Sequence, residues 1–314
     1  MNLPDSKLAA AIATRATGHA PVVVRRFTTG ARHYVFDVQF ADQPPVVVRI
    51  GDSSAHAELA GAVYLSGLLR PEGVPLPAIL ASDVQADFPW LLLARFPGTD
   101  LGAVISDLSE ERLDDIAANV ARAQSVVARL PPAGRYGYAV RPELAPHRAW
   151  SGVLSANLAR SRQRIRSAGI FEDDLVDSVE AMIAASETEI DAVGATPFLH
   201  DTTTKNVIVT TDGEFSGIVD VDDLCFGDAR YPIALTLAVL LAHGGPAGYV
   251  SAWMRHSRQN DDWLFRLYVS VFILDLISEH GQVFNGNQVS ITTQAQEALR
   301  RAFASNLGLA RRSS

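Results

Sequence analysis

An α+β fold, with a small antiparallel sheet near the N-terminus and a larger, mainly helical remainder, is predicted by three observations. Short β-prone runs gather in roughly the first hundred residues. From Ser109 onward apolar residues recur at helical spacing, and three polar residues, Asp201, Asn206 and Asp220, stand where a second group of short strands meets loops. The 314-residue chain has room for two ordinary domains and for a core that folds without disulfide or metal staples.

The elements follow in order. After Met1 to Ser6, an Ala-rich helix is read over 7–14. Residues 22–24, 34–40 and 45–50 read as three strands joined by turns containing Gly30 and Asp42, which makes a small antiparallel sheet. Residues 90–99, Trp-Leu-Leu-Leu-Ala-Arg-Phe-Pro-Gly-Thr, read as a buried strand running into a Pro-Gly turn. Ser109 caps a helix that starts Glu110-Glu111 and repeats Leu113, Ile116, Val120, Ala123, Val127 and Leu130 at steps of three and four. Residues 150–167, 172–193, 232–242 and 263–280 carry similar periodicity. Residues 196–199 and 207–209 are β-prone, and Asp212-Gly213 is a turn dipeptide leading into a strand at 215–221. There is no internal repeat. Pro131-Pro132 and Gly244-Gly245-Pro246 mark loops within the larger part rather than boundaries.

Charge narrows the function classes. With 27 Lys and Arg against 35 Asp and Glu, the net charge is -8, which argues against a nucleic-acid or anionic-membrane partner and suits a cationic substrate. Cys225 is the only cysteine, so no disulfide forms within the chain and a reducing, cytoplasmic location is expected. The N-terminal stretch lacks the basic start and apolar core of a secretion signal, and no apolar run approaches the roughly 20 residues of a membrane span.

The most informative stretch is Leu199-His200-Asp201-Thr202-Thr203-Thr204-Lys205-Asn206, followed nineteen residues after Asp201 by Asp220. Phosphoryl transfer needs an acceptor held in line and phosphate charge neutralised, with little covalent work for the protein. A carboxylate beside the acceptor hydroxyl orients it and takes its proton, the role read for Asp201. Asn206 and Asp220 offer the hard oxygen ligands that magnesium prefers. Any one of these residues also suits a turn; the three together point to a small-molecule kinase.

On this stretch, with Gly227-Asp228 eight residues past Asp220, the chain resembles the aminoglycoside phosphotransferase and choline kinase superfamily, which shares the protein-kinase-like two-lobed fold. The resemblance implies a nucleotide-binding lobe over 1–95 and a catalytic and substrate-binding lobe over 96–314. It implies Asp201 as the catalytic base and Mg2+ on Asn206 and Asp220, with ATP, or else GTP, as donor. It also places Arg49 on the nucleotide phosphates, Glu58 on the next helix as its partner, and Thr28, Thr29 and Gly30 in the loop above the phosphates. Ala94, Arg95 and Phe96 fall at the hinge whose backbone reads the base. Lys205, one of only two lysines, lies inside the catalytic loop within reach of a γ-phosphate oxygen or the substrate.

For the acceptor, a small-molecule hydroxyl compound resembling an aminoglycoside or an amino-alcohol or sugar metabolite, the acids Asp222, Asp223, Asp261, Asp262, Asp275 and Glu279 are the candidates. Trp253, Trp263 and Tyr268 would enclose a quaternary ammonium. Asp228 is expected to bond the backbone amides of the catalytic loop. The chain departs from the superfamily at Leu199, where His is usual, and at His200, which either touches substrate or bonds a carbonyl. That departure keeps open a second reading, a nucleotide-binding pseudokinase or regulatory module without turnover. A monomer and a homodimer are both compatible with the sequence.

Overall fold

The computed structural model describes residues 3–27, 33–284 and 287–312. Helix α1 (Ser6–Thr17) starts on Asp5, whose side chain accepts from the Leu8 amide, and stops at Gly18 in the left-handed conformation. It lies on a five-stranded antiparallel sheet of β1 (Val23–Arg26), β2 (Tyr34–Gln39), β3 (Val46–Ile50), β4 (Ile79–Asp83) and β5 (Trp90–Ala94), in the order β1-β2-β3-β5-β4. Helix α2 (His56–Leu69) runs between β3 and β4. The sheet has one strand more than the three and the hinge strand that the sequence predicts, because β4 is half-exposed and carries no continuous apolar run. The two helices predicted for this part, at 7–14 and around Glu58, are α1 and α2.

Strand alternation decides which side chains meet which helix. Val46, Val48 and Ile50 of β3 join Ala9, Ile12 and Ala13 of α1 in one core, while Leu91 of β5 packs with Leu59 and Ala62 of α2. Arg49 alternates with Val48 and Ile50 and is therefore turned from α1 toward the α2 side.

The remainder is mainly helical. After the short strand β6 (Thr99–Asp100) come α3 (Glu110–Val127), β7 (Gly137–Ala139), α4 (Trp150–Ala168), α5 (Asp177–Ala185) and α6 (Glu187–Asp191). Strands β8 (Thr196–Phe198), β9 (Val207–Val209), β10 (Phe215–Ile218) and β11 (Leu224–Gly227) follow, then α7 (Tyr231–His243), α8 (Gly248–Ser257) and α9 (Trp263–Glu279). A two-residue pair, β12 (Val283–Phe284) with β13 (Asn287–Gln288), precedes the final helix α10 (Thr293–Arg312). The single helix read over 172–193 is in fact a 3-10 turn at Asp173–Val176 and two short helices, broken at Ser186, whose φ of -120° and ψ of 19° leave the helical region.

Two small sheets carry the site: β10-β9-β6 and β7-β11-β8, both antiparallel. Behind them one core joins the lobes. Leu65 and Leu69 of α2 pack with Leu199, Ile218, Leu224 and Phe226, and with Ala123 and Val127 of α3. Helix α2 thus reports directly on the loops that follow β8 and β10.

Candidate active site

β8 pairs with β11 as far as Phe198 opposite Cys225, and the chain then leaves the sheet. Gln124 of α3 takes over where the ladder ends. The Leu199 amide donates to its Oε1 at 2.9 Å, and its Nε2 donates to the Leu199 carbonyl at 2.8 Å and to Thr202 Oγ1 at 3.0 Å. One side chain therefore satisfies both backbone groups of Leu199, whose own side chain is buried.

Asp201 is exposed at the next turn. Its Oδ1 accepts from the Thr203 hydroxyl at 2.8 Å, which leaves Oδ2 for an acceptor, and its backbone carbonyl accepts from Asn206 Nδ2 at 3.0 Å. That bond commits the amide nitrogen of Asn206, so its carbonyl oxygen is the atom available to a cation. Asn206 is buried, and its backbone carbonyl accepts from the Val219 amide at 2.9 Å, so the residue before Asp220 is tied to Asn206. Asp220 has φ of 65°, one of two non-glycine residues at positive φ among those described. A carboxylate held in this region costs about 1 kcal/mol or more, which marks a position fixed by its surroundings.

Arg49, 5% exposed, reaches this loop from β3. It lies 2.9 Å from Asp220 Oδ1 and hydrogen-bonds Asp222 Oδ2. His33 Nε2 stands 3.2 Å from the same Asp222 oxygen and 3.5 Å from Glu58 Oε2, so His33, Glu58 and Asp222 form a compact group beside Arg49. Burial opposes charge on Arg49, but Asp220, Asp222 and Glu58 outweigh it and hold the guanidinium firmly protonated. Burial likewise raises the Asp222 carboxyl, and Arg49 and His33 reverse this and hold it at about 2. Arg49 Nε is buried without a hydrogen-bond partner, a donor suited to a phosphate oxygen. Gly61 lets α2 approach this loop: a Cβ there would sit 2.6 Å from the Asp222 carbonyl oxygen. Beside Arg49 and Asp220 a pocket is lined by Leu76, Ile79, Leu91, Leu93 and Ile218, an apolar slot ending in charge.

The other candidates fall as follows. Thr28, Thr29 and Gly30 lie outside the described residues. The Ala94 amide donates to the Ala78 carbonyl at 2.8 Å. Arg95 bonds Asp37 at 2.7 Å and the Phe96 carbonyl at 3.1 Å. The Phe96 ring fills the space beside Gly217. Lys205 is exposed, and its charge is felt at Glu279. Asp222, grouped by sequence with the acceptor acids, sits instead on Arg49. Asp261 binds Arg266, and Asp262 lies 2.6 Å from Arg230. Asp275 lies 3.1 Å from Arg160, and Asp223 acts on the Cys225 thiol, which burial and that charge push up. Trp253 and Tyr268 are core residues and Trp263 packs against that core.

Two expectations are corrected. Asp228 does not hold the catalytic loop: it accepts from Arg230 and from the Tyr268 hydroxyl at 3.0 Å, and Tyr268 in turn accepts from Trp150. Its short local link to Arg230 outcompetes the more distant loop. Among the described residues His200 bonds no carbonyl: its buried Nδ1 has no partner, and the ring packs on Tyr138 at 4.7 Å and on Tyr231 and Phe272 at 6.0 Å each. Burial lowers its pKa, so it is a neutral aromatic spacer.

His33, Gln124, Arg160 and Arg164 escaped the sequence reading. Gln124 had one signal, an amide set between Ala123 and Val127 on a helix face that otherwise buries apolar residues.

Comparison with known proteins agrees with this fold. A family model described as "Phosphotransferase enzyme family" matches residues 23–266. Among solved structures, aminoglycoside phosphotransferase APH(4)-Ia is similar at 15% identity and a TM-score of 0.64, covering 98% of each chain. The ADP-bound APH(2'')-Ib is similar at 11% identity and 0.62, covering 98% of this chain and 99% of that one. The streptomycin-ATP-APH(2'')-IIa ternary complex gives 11% and 0.62, covering 98% and 97%. At these identities the likeness concerns the fold. No curated protein matches in sequence.

Proposed function

Because the chain belongs to the phosphotransferase enzyme family, we propose that it moves the γ-phosphate of ATP to a hydroxyl of a small molecule, with Asp201 as base and Mg2+ on Asn206 and Asp220. The observation that carries this reading is the linkage of the three residues: Asn206 bonds the Asp201 carbonyl by its side chain and the residue before Asp220 by its backbone. Base and cation ligands are thereby set as one unit.

In this reading residues 1–95 bind nucleotide and residues 96–314 supply catalysis and the acceptor site. The apolar slot takes the base. Arg49, with its unused Nε, takes a phosphate oxygen. Asp201 Oδ2 accepts the hydroxyl proton as the acceptor oxygen bonds to the γ-phosphorus and the bond to the β-phosphate oxygen breaks, releasing ADP. Magnesium, when bound, neutralises charge on the phosphate oxygens. The donor set fits it: a carboxylate and a carboxamide oxygen, both hard ligands.

The test is magnesium-dependent ADP release from ATP, and from GTP beside it, in the wild type and in Asp201→Asn. The variant is expected to keep nucleotide affinity within a few-fold and to lose about 10²-fold or more in rate. Equal loss of binding and rate contradicts a base; nucleotide binding with no Asp201-dependent release identifies a module without turnover.

A further inference from the structure

The acids that suggested a cationic acceptor are committed to the protein's own arginines. Asp222 serves Arg49, Asp261 serves Arg266 and Asp262 serves Arg230. The acids facing the catalytic loop are on α9. Phe272 touches His200, the neighbour of Asp201; Asp275 follows at the next turn and Glu279 one turn further on the same face. Asp275 Oδ1 alone meets Arg160 at 3.1 Å, Arg164 at 3.8 Å and the Ser161 hydroxyl at 3.3 Å. Two guanidinium groups from α4 thus converge on one carboxylate oxygen.

Lys205 adds a third cation from the catalytic loop. It has no ion-pair partner among the described residues and lies in the loop between Asp201 and Asn206; burial and Asp275 raise the Glu279 carboxyl, and Arg164 and, to a lesser degree, Lys205 act against that rise. Even with Glu279 fully ionised, three carboxylates, Asp201, Asp275 and Glu279, meet three cations. Such a balance has no surplus negative charge to hold a molecule bearing several ammonium groups. The side chains of Arg160 and Arg164 remain 43% and 30% exposed, so a second anion can reach guanidinium edges that Asp275 leaves open.

We infer, resting on the kinase reading above, that the acceptor is a hydroxylated small molecule carrying its own anionic group, a carboxylate or phosphate, seated by Arg160, Arg164 and Lys205, rather than a polycation or an amino alcohol. The hydroxyl then faces Asp201 while the anionic group sits against α4 and the catalytic loop. Arginine suits this end of the acceptor because its planar fork pairs two oxygens at once.

The experiment measures magnesium-dependent ADP release above the acceptor-free rate with sets matched by skeleton: glycerate, glycerol 3-phosphate, glycerol and serinol; gluconate, glucose 6-phosphate, glucose and glucosamine; and kanamycin as the polycation. An anionic member is expected to give the highest kcat/KM, and glycerate against glycerol 3-phosphate, or gluconate against glucose 6-phosphate, tells carboxylate from phosphate. Arg164→Gln is then expected to raise the KM for that acceptor about tenfold to a hundredfold, and at least tenfold more than it raises the KM for ATP. Preference for an ammonium-bearing member, no rise with any anionic member, or an unchanged acceptor KM in Arg164→Gln overturns the inference. The acceptor-free ADP release is measured in Asp201→Asn as well. If that release is indifferent to Asp201, the kinase reading itself fails, and the two failures are told apart.

Discussion

On the proposed nucleotide side Arg49 is 5% exposed and bound by Asp220 and Asp222, with His33 and Glu58 closing the group; on the proposed acceptor side Arg160 and Arg164 share one oxygen of Asp275 and stay open to water. The first arrangement centres on a buried guanidinium and imidazole and joins a strand of the small sheet to the loop after β10. The second lies between two helices of the same lobe. A buried charge that loses its partner leaves an uncompensated ion in a poor solvent, whereas an exposed pair is replaced by water at little cost. The Arg49 group is accordingly suited to fixing geometry, and the Arg160–Arg164 pair, in the proposed reading, to exchanging one anion for another.

The sharpest way to break this contrast is to remove one cation from each side. Arg49→Met is expected to destabilise the fold by about 3 kcal/mol, since Asp222, its side chain only 16% exposed, would lose its guanidinium. Arg160→Met is expected to cost about 1 kcal/mol or less. Denaturant unfolding of both variants decides it, and equal losses would abolish the distinction.

Next in size is Asp220→Ala, which should weaken magnesium-ATP binding about tenfold or more, read by calorimetric titration. Affinity unchanged from wild type would remove Asp220 from the cation site. Gln124→Met should lower kcat about tenfold through a misplaced Asp201 while the KM for ATP stays within about threefold. A fall in melting temperature without a fall in kcat would reduce Gln124 to a packing role.

The smallest effect concerns His200. Burial lowers its folded pKa, so the unfolded chain binds a proton that the folded chain resists. Both forms are neutral well above pH 6.5; stability is lost as pH falls below about 6.5, the unfolded value, toward the lower folded one. His200→Phe keeps the ring contacts and is expected to lose less stability than wild type between pH 7 and 5, measured by melting temperature. Parallel curves would show that the imidazole does not titrate on unfolding.

Much of this was readable in one dimension because the relevant signals are local. Asp201, Asn206 and Asp220 lie within one strand-loop-strand stretch, and apolar spacing predicted α3, α4, α7 and α9 to within a few residues. Helix α8 and strand β11 were missed because β11 is an unbroken buried run and α8 a short segment between loops. His33 and Asp222, 189 residues apart, and Gln124 and Leu199, 75 apart, meet only when sheet and helices pack.

By itself the sequence determined the chemistry on offer: a candidate base, two candidate oxygen ligands and a strand arginine at spacings that place them beside loops. Which acids are free to meet a substrate was decided by the tertiary structure alone. Charge pairing depends on distance in space, and on burial that screens or exposes each pair, and neither quantity is written in the order of residues.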